Sequence, residues 1–264
     1  MGKNSKIEWT HHSFNTHWGC TAVSPGCDNC YAEDIDKRFT KIGEPTDWGK
    51  DAPRRFMSDA YWRTPLLWDR LAARAGERHR VFSSSMTDNF LNDPIIDRER
   101  EKLWPLIERT PNLDWLLLTK HPERFRATLP ATIPSNVRLG VSVEDNSVAW
   151  RVDAVRPYPN FLSVEPMLGP VDRIDLTAVG WVICGGESGS GARPMDSRWA
   201  RDLRDRCVAA GIPFLFKQWG EYAPAAWALG GSEFPHDMVR VGKANAGREL
   251  DGRTWDEFPQ PAAA

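Results

Sequence analysis

The chain has 264 residues, 41% of them hydrophobic and 27% charged, with a formal net charge of −2, a balance usual for a soluble globular protein. A chain this long buries a sizeable core without disulfides or a structural metal, as one large α/β domain or two small ones. The near-neutral balance excludes a strong basic field for nucleic acid, although 34 Lys and Arg leave room for a local patch.

The start, through Trp9, is polar and charged, so no signal peptide is expected. The longest apolar runs, such as Trp115-Leu116-Leu117-Leu118, are too short to span a bilayer. The expectation is a cytosolic protein with no membrane partner. Thiols stay reduced there, so clustered cysteines point to a metal or to catalysis rather than to disulfides. Thirteen Trp is a high count, and indoles fill cores more often than they bind ligands.

Along the chain, strands are predicted over residues 14–18, 79–84, 114–119, 137–143, 160–164, 180–184 and 213–216. Helices are predicted over 31–41, 65–75, 94–108, 122–127, 146–155 and 197–210. Such alternation implies a parallel sheet with helices on its faces. Six or seven units fit a complete or partial (β/α) barrel better than a small open sheet. Residues 43–62 mix Pro, Gly, charge and aromatics and read as an insertion. The expected organisation is a barrel domain over 1–222 and a loop-rich C-terminal appendage over 223–264. Its final Pro-Gln-Pro-Ala-Ala-Ala is expected to be disordered.

The most informative segment is Cys20-Thr-Ala-Val-Ser-Pro-Gly-Cys27-Asp-Asn-Cys30. Three thiolates within eleven residues, two in a C-x-x-C pair, can reach one soft metal centre. Pro25-Gly26 supplies the turn that returns Cys20 toward that pair. Zinc in a closed structural site normally needs a fourth protein ligand; His11, His12 and His17 do not stand at zinc-finger spacing, although they could contribute one. A [4Fe–4S] cluster is usually held by four thiolates; with three, one iron stays open. Cys184 and Cys207 fall in a predicted strand and helix, where buried cysteine is common. Cluster and zinc both remain open on spacing alone, with the cluster favoured.

Ligand-handling groups in (β/α) sheets gather at strand C-termini. Those positions hold Ser85, Thr87 and Asp88, then Lys120, then Ser142 and Glu144, then Glu165, then Gly185-Gly186-Glu187-Ser188-Gly189-Ser190-Gly191, then Lys217 and Gln218. Singly, each has an ordinary reading as a cap or a solvated charge. The Gly-rich run offers backbone amides to a ribose, a carboxylate or a phosphate, and Arg193 beside it suits an anion. Arg54, Arg55, Phe56, Tyr61, Trp62 and Arg63 of the insertion offer charge and stacking to a nucleic acid, or an ordinary core edge.

The run Ile7-Glu8-Trp9-Thr10, Gly19-Cys20 and Ser24 through Glu33 resembles a phage-associated family of three-cysteine-motif proteins of unknown function. Leu118 through Glu123, Gly140 through Glu144, Leu162 through Pro166, Gly185 through Gly189 and Phe216 through Glu221 carry the likeness on, in order. That family looks like a branch of the radical S-adenosylmethionine superfamily. The resemblance implies a partial (β/α)6 TIM-like barrel, a [4Fe–4S] cluster on Cys20, Cys27 and Cys30, and S-adenosyl-L-methionine as second cofactor. It also implies an electron-donor protein as partner. Ser85-Met86-Thr87-Asp88 resembles the variant of lyase-like members, including those related to spore photoproduct repair, where this position holds the methionyl ammonium. Thr87, Asp88, Lys120, Ser142, Glu144, Glu165, Gly185, Gly186 and Glu187 are thereby expected to bind the cofactor. The superfamily usually spaces its cysteines C-x3-C-x2-C, whereas the first gap here is six residues. The implied activity is reductive cleavage of S-adenosylmethionine to a 5′-deoxyadenosyl radical, with a nucleobase in DNA or RNA as candidate substrate. The alternative is a zinc- or cluster-bearing nucleic-acid-binding module without radical chemistry. A metal-assisted hydrolase is weaker, because no H-E-x-x-H motif occurs.

Overall fold

A computed structural model describes residues 5–228 and 237–259. The strands are β1 (His12–Phe14), β2 (His17–Trp18), β3 (Arg55–Phe56), β4 (His79–Ser83), β5 (Leu113–Thr119), β6 (Val137–Ser142), β7 (Asn160–Val164), β8 (Val182–Gly185) and β9 (Phe214–Gln218). The main sheet has seven strands in the order β1-β4-β5-β6-β7-β8-β9. Within it β1 pairs with β4, β4 with β5, β7 with β8 and β8 with β9, all in parallel. Parallel strands in this order, alternating with helices, define an α/β fold of the partial (β/α)-barrel class. The chain divides into two compact units, with Ser24–Tyr31 and Val141–Pro259 forming the second. Cys20 therefore belongs to the first unit, and Cys27 and Cys30 to the second.

In the first unit, β1 lies beside β4 with His12 opposite Val81, and β4 lies beside β5 with Val81 opposite Trp115. The Trp115 amide donates to the Asn136 carbonyl at the mouth of β6 (2.8 Å). These strands read as nearly continuous apolar runs because both faces are covered. Helices α1 (Tyr31–Phe39), α2 (Asp59–Trp62), α3 (Thr64–Ala75), α4 (Pro94–Glu108) and α5 (Phe125–Thr128) follow their strands or the insertion. Helix α4 starts where Asp93 accepts from the Ile95 amide (2.9 Å) and Pro94 takes the first turn, where a missing N–H costs nothing. Helix α3 ends on Gly76 in the left-handed region.

The strand predicted over 14–18 is divided. After Phe14 the chain leaves the sheet, and β2 pairs antiparallel with β3 of the insertion. The cause lies in Asn15 and Thr16, whose side chains are bonded to Met86 and Asn89. The insertion folds inward: Tyr61 stacks on Phe14 with ring centres 5.0 Å apart, and its hydroxyl accepts from the Asn15 amide (3.0 Å).

In the second unit, helices α6 (Arg151–Val155) and α7 (Ser197–Ala210) accompany the parallel strands β7, β8 and β9. Asp196 caps α7 by accepting from the Arg198 amide (2.8 Å), and Gly211 ends the helix in the left-handed region. The segments predicted over 122–127 and 146–155 each open as a tight 3-10 turn before a short α-helix. Beyond residue 222, β10 (Tyr222–Pro224) pairs antiparallel with β11 (Met238–Arg240), and β12 (Glu249–Leu250) with β13 (Arg253–Thr254). The residues after β13 shield the edge of β9: the Phe216 amide donates to the Trp255 carbonyl (2.9 Å). The Trp181 indole donates to the Glu257 carbonyl (2.9 Å). The part of the expected disordered tail from residue 260 onward lies outside the described residues.

Trp9, Trp68, Trp115, Trp181 and Trp219 are buried, so the core reading holds for these indoles; Trp150 and Trp227 are exposed. Among the described residues no helix is long and apolar enough to cross a membrane.

Candidate functional site

The first unit holds Cys20 just past β2, on a loop fixed at several points. Gly19 sits at φ +109°, and a Cβ there would lie 2.2 Å from the Asp47 carbonyl oxygen, so only glycine allows this approach. The Gly19 amide donates to the Met86 carbonyl (3.0 Å), and the Gly49 amide donates to the Cys20 carbonyl (2.9 Å). Arg54 spans the same loop. Its guanidinium donates to the carbonyls of Asp47 (2.6 Å) and Gly49 (2.9 Å) and to the Thr21 hydroxyl (3.1 Å). Arg55 pairs with Asp36 (3.3 Å) and Asp47 (2.8 Å) and lies over the Trp18 ring. The heads of Arg54 and Arg55 thus act on this chain's own loop.

Thr87 and Asp88 follow β4. The Thr87 hydroxyl lies between the Gly19 carbonyl (3.0 Å) and His17 Nε2, and its one proton serves these two acceptors. His17 Nδ1 meets the Thr16 hydroxyl (2.8 Å), which donates to Asn89 Oδ1 (2.8 Å). Burial and then the charge of Arg54 hold the His17 pKa down at about 3, so the ring is neutral. The buried Asp88 carboxylate accepts from the Phe90 amide (2.9 Å), the Thr119 hydroxyl (2.7 Å) and the Lys120 amide (2.8 Å). Those bonds stitch the end of β4 to the end of β5. Both residues expected to hold an ammonium group are engaged within the protein, and one carboxylate has about four lone-pair sites in all.

The second unit holds Cys27 and Cys30 on the loop Ser24–Tyr31, and its strand-end acids grip that loop. Glu144, after β6, is buried and accepts from the Ser24 hydroxyl (2.8 Å) and from Arg151 of α6 (2.9 Å). Arg151 also donates to the Ser142 carbonyl (2.9 Å). A Cβ on Gly26 would lie 2.4 Å from the Glu144 side chain, so the turn rests directly on the acid. Glu187, after β8, takes a two-pronged bond from Arg193, with Nε at 2.9 Å and Nη2 at 2.7 Å, and accepts from Asn29 (3.2 Å). Arg193 reaches on to the Pro25 carbonyl (2.8 Å) and the Asp28 carboxylate (3.2 Å). Asn29 also donates to the Gly191 carbonyl (2.9 Å).

Glu165, after β7, forms an ion pair with Lys217 of β9 (2.8 Å). The strand between them ends in Gly185, where a Cβ would lie 3.0 Å from the Glu165 carboxylate. The glycine lets the pair meet across β8. At Gly186 a Cβ would lie 2.0 Å from the Trp219 carbonyl oxygen, so this glycine serves a close backbone approach. The expected anion cradle at Gly185 and Gly186 is thus occupied by the protein's own groups, and Arg193 is engaged by Glu187. Arg54 and Arg151 were missed as positioning groups; for Arg151 the need for a cation opposite the buried Glu144 was the available signal, whereas Arg54 meets only carbonyls and a hydroxyl and had none.

The five cysteines divide sharply. None of the five is in a disulfide; Cys20, Cys27 and Cys30 are half-buried, whereas Cys184 and Cys207 are buried. Burial pushes the Cys207 thiol up to about 12 and the Cys184 thiol well above its usual value, so neither supplies a thiolate. The donor chemistry of the other three fits a thiolate-bound group. Among the described residues no three Cys, His, Asp or Glu side chains gather at metal-holding geometry.

The strand order and the polar strand ends place the chain among α/β proteins of partial-barrel topology. Within that class it belongs to DUF5131, a family of proteins of unknown function, whose model matches residues 4–259. No curated protein matches the chain. Among solved structures it is similar to a spore photoproduct lyase variant with bound AdoMet and dinucleoside spore photoproduct, at TM-score 0.49 and 13% identity over 78% of this chain and 63% of that one. Spore photoproduct lyase complexed with dinucleoside spore photoproduct gives TM-score 0.47 and 14% identity over 78% and 63%. This chain thus spans less than two thirds of the length of those proteins.

Proposed function

We propose that the protein is an iron–sulfur enzyme of the radical S-adenosylmethionine type, with Cys20, Cys27 and Cys30 holding a [4Fe–4S] cluster. The observation that carries this reading is the division of the cysteines: three half-buried thiols on pinned loops, against two whose burial keeps them protonated. When bound, such a cluster supplies an open iron for S-adenosylmethionine and the electron for its cleavage to a 5′-deoxyadenosyl radical. The chain's own residues supply position. Asp88, Thr87, Glu144 and Glu187 order the loops and strand ends around the thiols, while Ser142 contributes its carbonyl to Arg151. For S-adenosylmethionine we retain Lys120 and the Glu165–Lys217 pair, whose partly buried charges suit an ammonium and a carboxylate. A nucleobase substrate and an electron-donor partner rest on the family resemblance.

The test is anaerobic reconstitution with iron and sulfide, then spectroscopy with and without S-adenosylmethionine. About four irons per chain are expected from the cluster type, together with reductive formation of 5′-deoxyadenosine. Replacing Cys20, Cys27 or Cys30 by Ala abolishes the brown colour, and Cys207→Ala does not. Stoichiometric zinc without iron would overturn the reading and leave the nucleic-acid-binding module in its place.

A further inference from the structure

We propose that Arg54 and Arg193 are positioning residues, each holding its own part of the cysteine motif: Arg54 the loop of Cys20, Arg193 the loop of Cys27 and Cys30. The importance given to these loops rests on the cluster reading above; the bonds themselves do not. Arg54 draws together the Asp47 and Gly49 carbonyls and the Thr21 hydroxyl, and the Gly49 amide in turn holds the Cys20 carbonyl (2.9 Å). Arg193 ties the Pro25 carbonyl and the Asp28 carboxylate to Glu187, and Glu187 returns a bond to Asn29. Neither guanidinium is bonded to a thiol. Each bridges the residues that flank one.

The fork geometry is what the task requires. A guanidinium presents five donors in a rigid plane and joins two or three acceptors at once, whereas an ammonium is a compact point charge. Lysine at either position keeps the charge and loses the bridge. Groups in the outer shell that orient metal ligands typically alter metal affinity 10- to 100-fold when removed. The two anchorages are separate in sequence, because Arg54 comes from the insertion and Arg193 from the Gly-rich run after β8. Their effects should therefore be separable by cysteine.

The experiment compares Arg54→Lys and Arg193→Lys with Arg78→Lys and Arg206→Lys. Arg78 donates to the Pro111 carbonyl (2.8 Å) and Arg206 to the Val171 carbonyl (2.8 Å), the same kind of bond on other loops. Metal-free full-length protein is treated with iodoacetamide, and each cysteine's rate is read by fragment mass spectrometry. Arg54→Lys is expected to speed Cys20 about tenfold, the factor one lost hydrogen bond gives to local opening, and to leave Cys27 and Cys30 within about twofold; Arg193→Lys does the reverse, and the controls change none. Buried Cys184 reports unfolding: a variant in which it reacts is replaced by the corresponding Arg→Met. The proposal is overturned if either substitution leaves its own thiols unchanged, speeds all three alike, or matches its control. The reconstituted variants then release iron to a ferrous chelator about tenfold faster than the controls. A wild-type protein that takes up no iron refutes the cluster reading, while the alkylation pattern still decides the roles of Arg54 and Arg193.

Discussion

The strand ends of the two units are tied by different chemistry. In the first, the ties run through hydroxyls, amides and one neutral ring: Thr87, His17, Thr16 and Asn89, with Asp88 accepting from neutral donors. In the second they are ion pairs, Glu144 with Arg151, Glu165 with Lys217 and Glu187 with Arg193. A neutral network loses one hydrogen bond when a member is removed. A buried ion pair leaves an uncompensated charge. The same task, tying a strand end, thus carries different penalties in the two units, although the Cys20 loop itself is also held by Arg54 and by Arg55 with Asp36 and Asp47.

The largest expected effect follows from the driest pair. The side chains of Arg151 and Glu144 are 3% and 2% exposed. Arg151→Met should cost about 3–5 kcal/mol, because Glu144 keeps its charge and loses its cation. Adding Glu144→Gln should return part of that loss, measured as the urea midpoint followed by circular dichroism. A single substitution costing under about 1 kcal/mol would place this pair with exposed salt bridges and erase the contrast.

On the neutral side, Thr87→Val keeps the volume and removes the hydroxyl. It strands the Gly19 carbonyl and His17, both buried, and should cost about 1–2 kcal/mol. Its effect should stay below that of Arg151→Met in the same assay. An equal or larger loss would show that the neutral chain acts as a cooperative network, beyond the sum of its bonds.

Much of this architecture was legible in residue pattern. Helix α7 was read with both its bounds, since Asp196 and Gly211 carry the capping chemistry; β7 likewise matches its predicted span. The strand over 14–18 was misread because alternation cannot reveal that Asn15 and Thr16 turn aside to bond residues some seventy positions away. At the site, the cysteines and strand-end acids stand out locally, but their partners do not. Arg54 reads as a surface cation beside aromatics, and Arg193 as a cation for an external anion. Only the fold shows that their acceptors are backbone carbonyls and a buried glutamate. Gly186 likewise looks like part of a phosphate cradle until the Trp219 carbonyl is found where its side chain would be.

The smallest effect is a pH dependence that arises in the first unit. Burial holds His17 down at about 3 and His11, half-buried beside Arg80, at about 4. Both are neutral in the folded chain while their unfolded counterparts take up a proton below about pH 6.5. As pH falls through that value the unfolded state binds more protons, so stability falls with it. Asp47 opposes them: burial and the neighbouring Asp36 raise it to about 6. Its folded form therefore gains a proton between about pH 6 and the usual carboxylate value near 4, and stability there rises on acidification. Two protons against one leaves a net loss of about 1 kcal/mol from pH 7 to pH 6, since each group contributes at most about 1.4 kcal/mol per pH unit. Asp47→Asn removes the opposing proton and should steepen the loss, read as the urea midpoint against pH in metal-free protein. A slope unchanged by Asp47→Asn would mean that Asp47 does not oppose them, and a midpoint that rises on acidification would mean that His17 and His11 are not the groups that titrate. The neutral ties of the first unit would then lack the protonation behaviour that their burial requires.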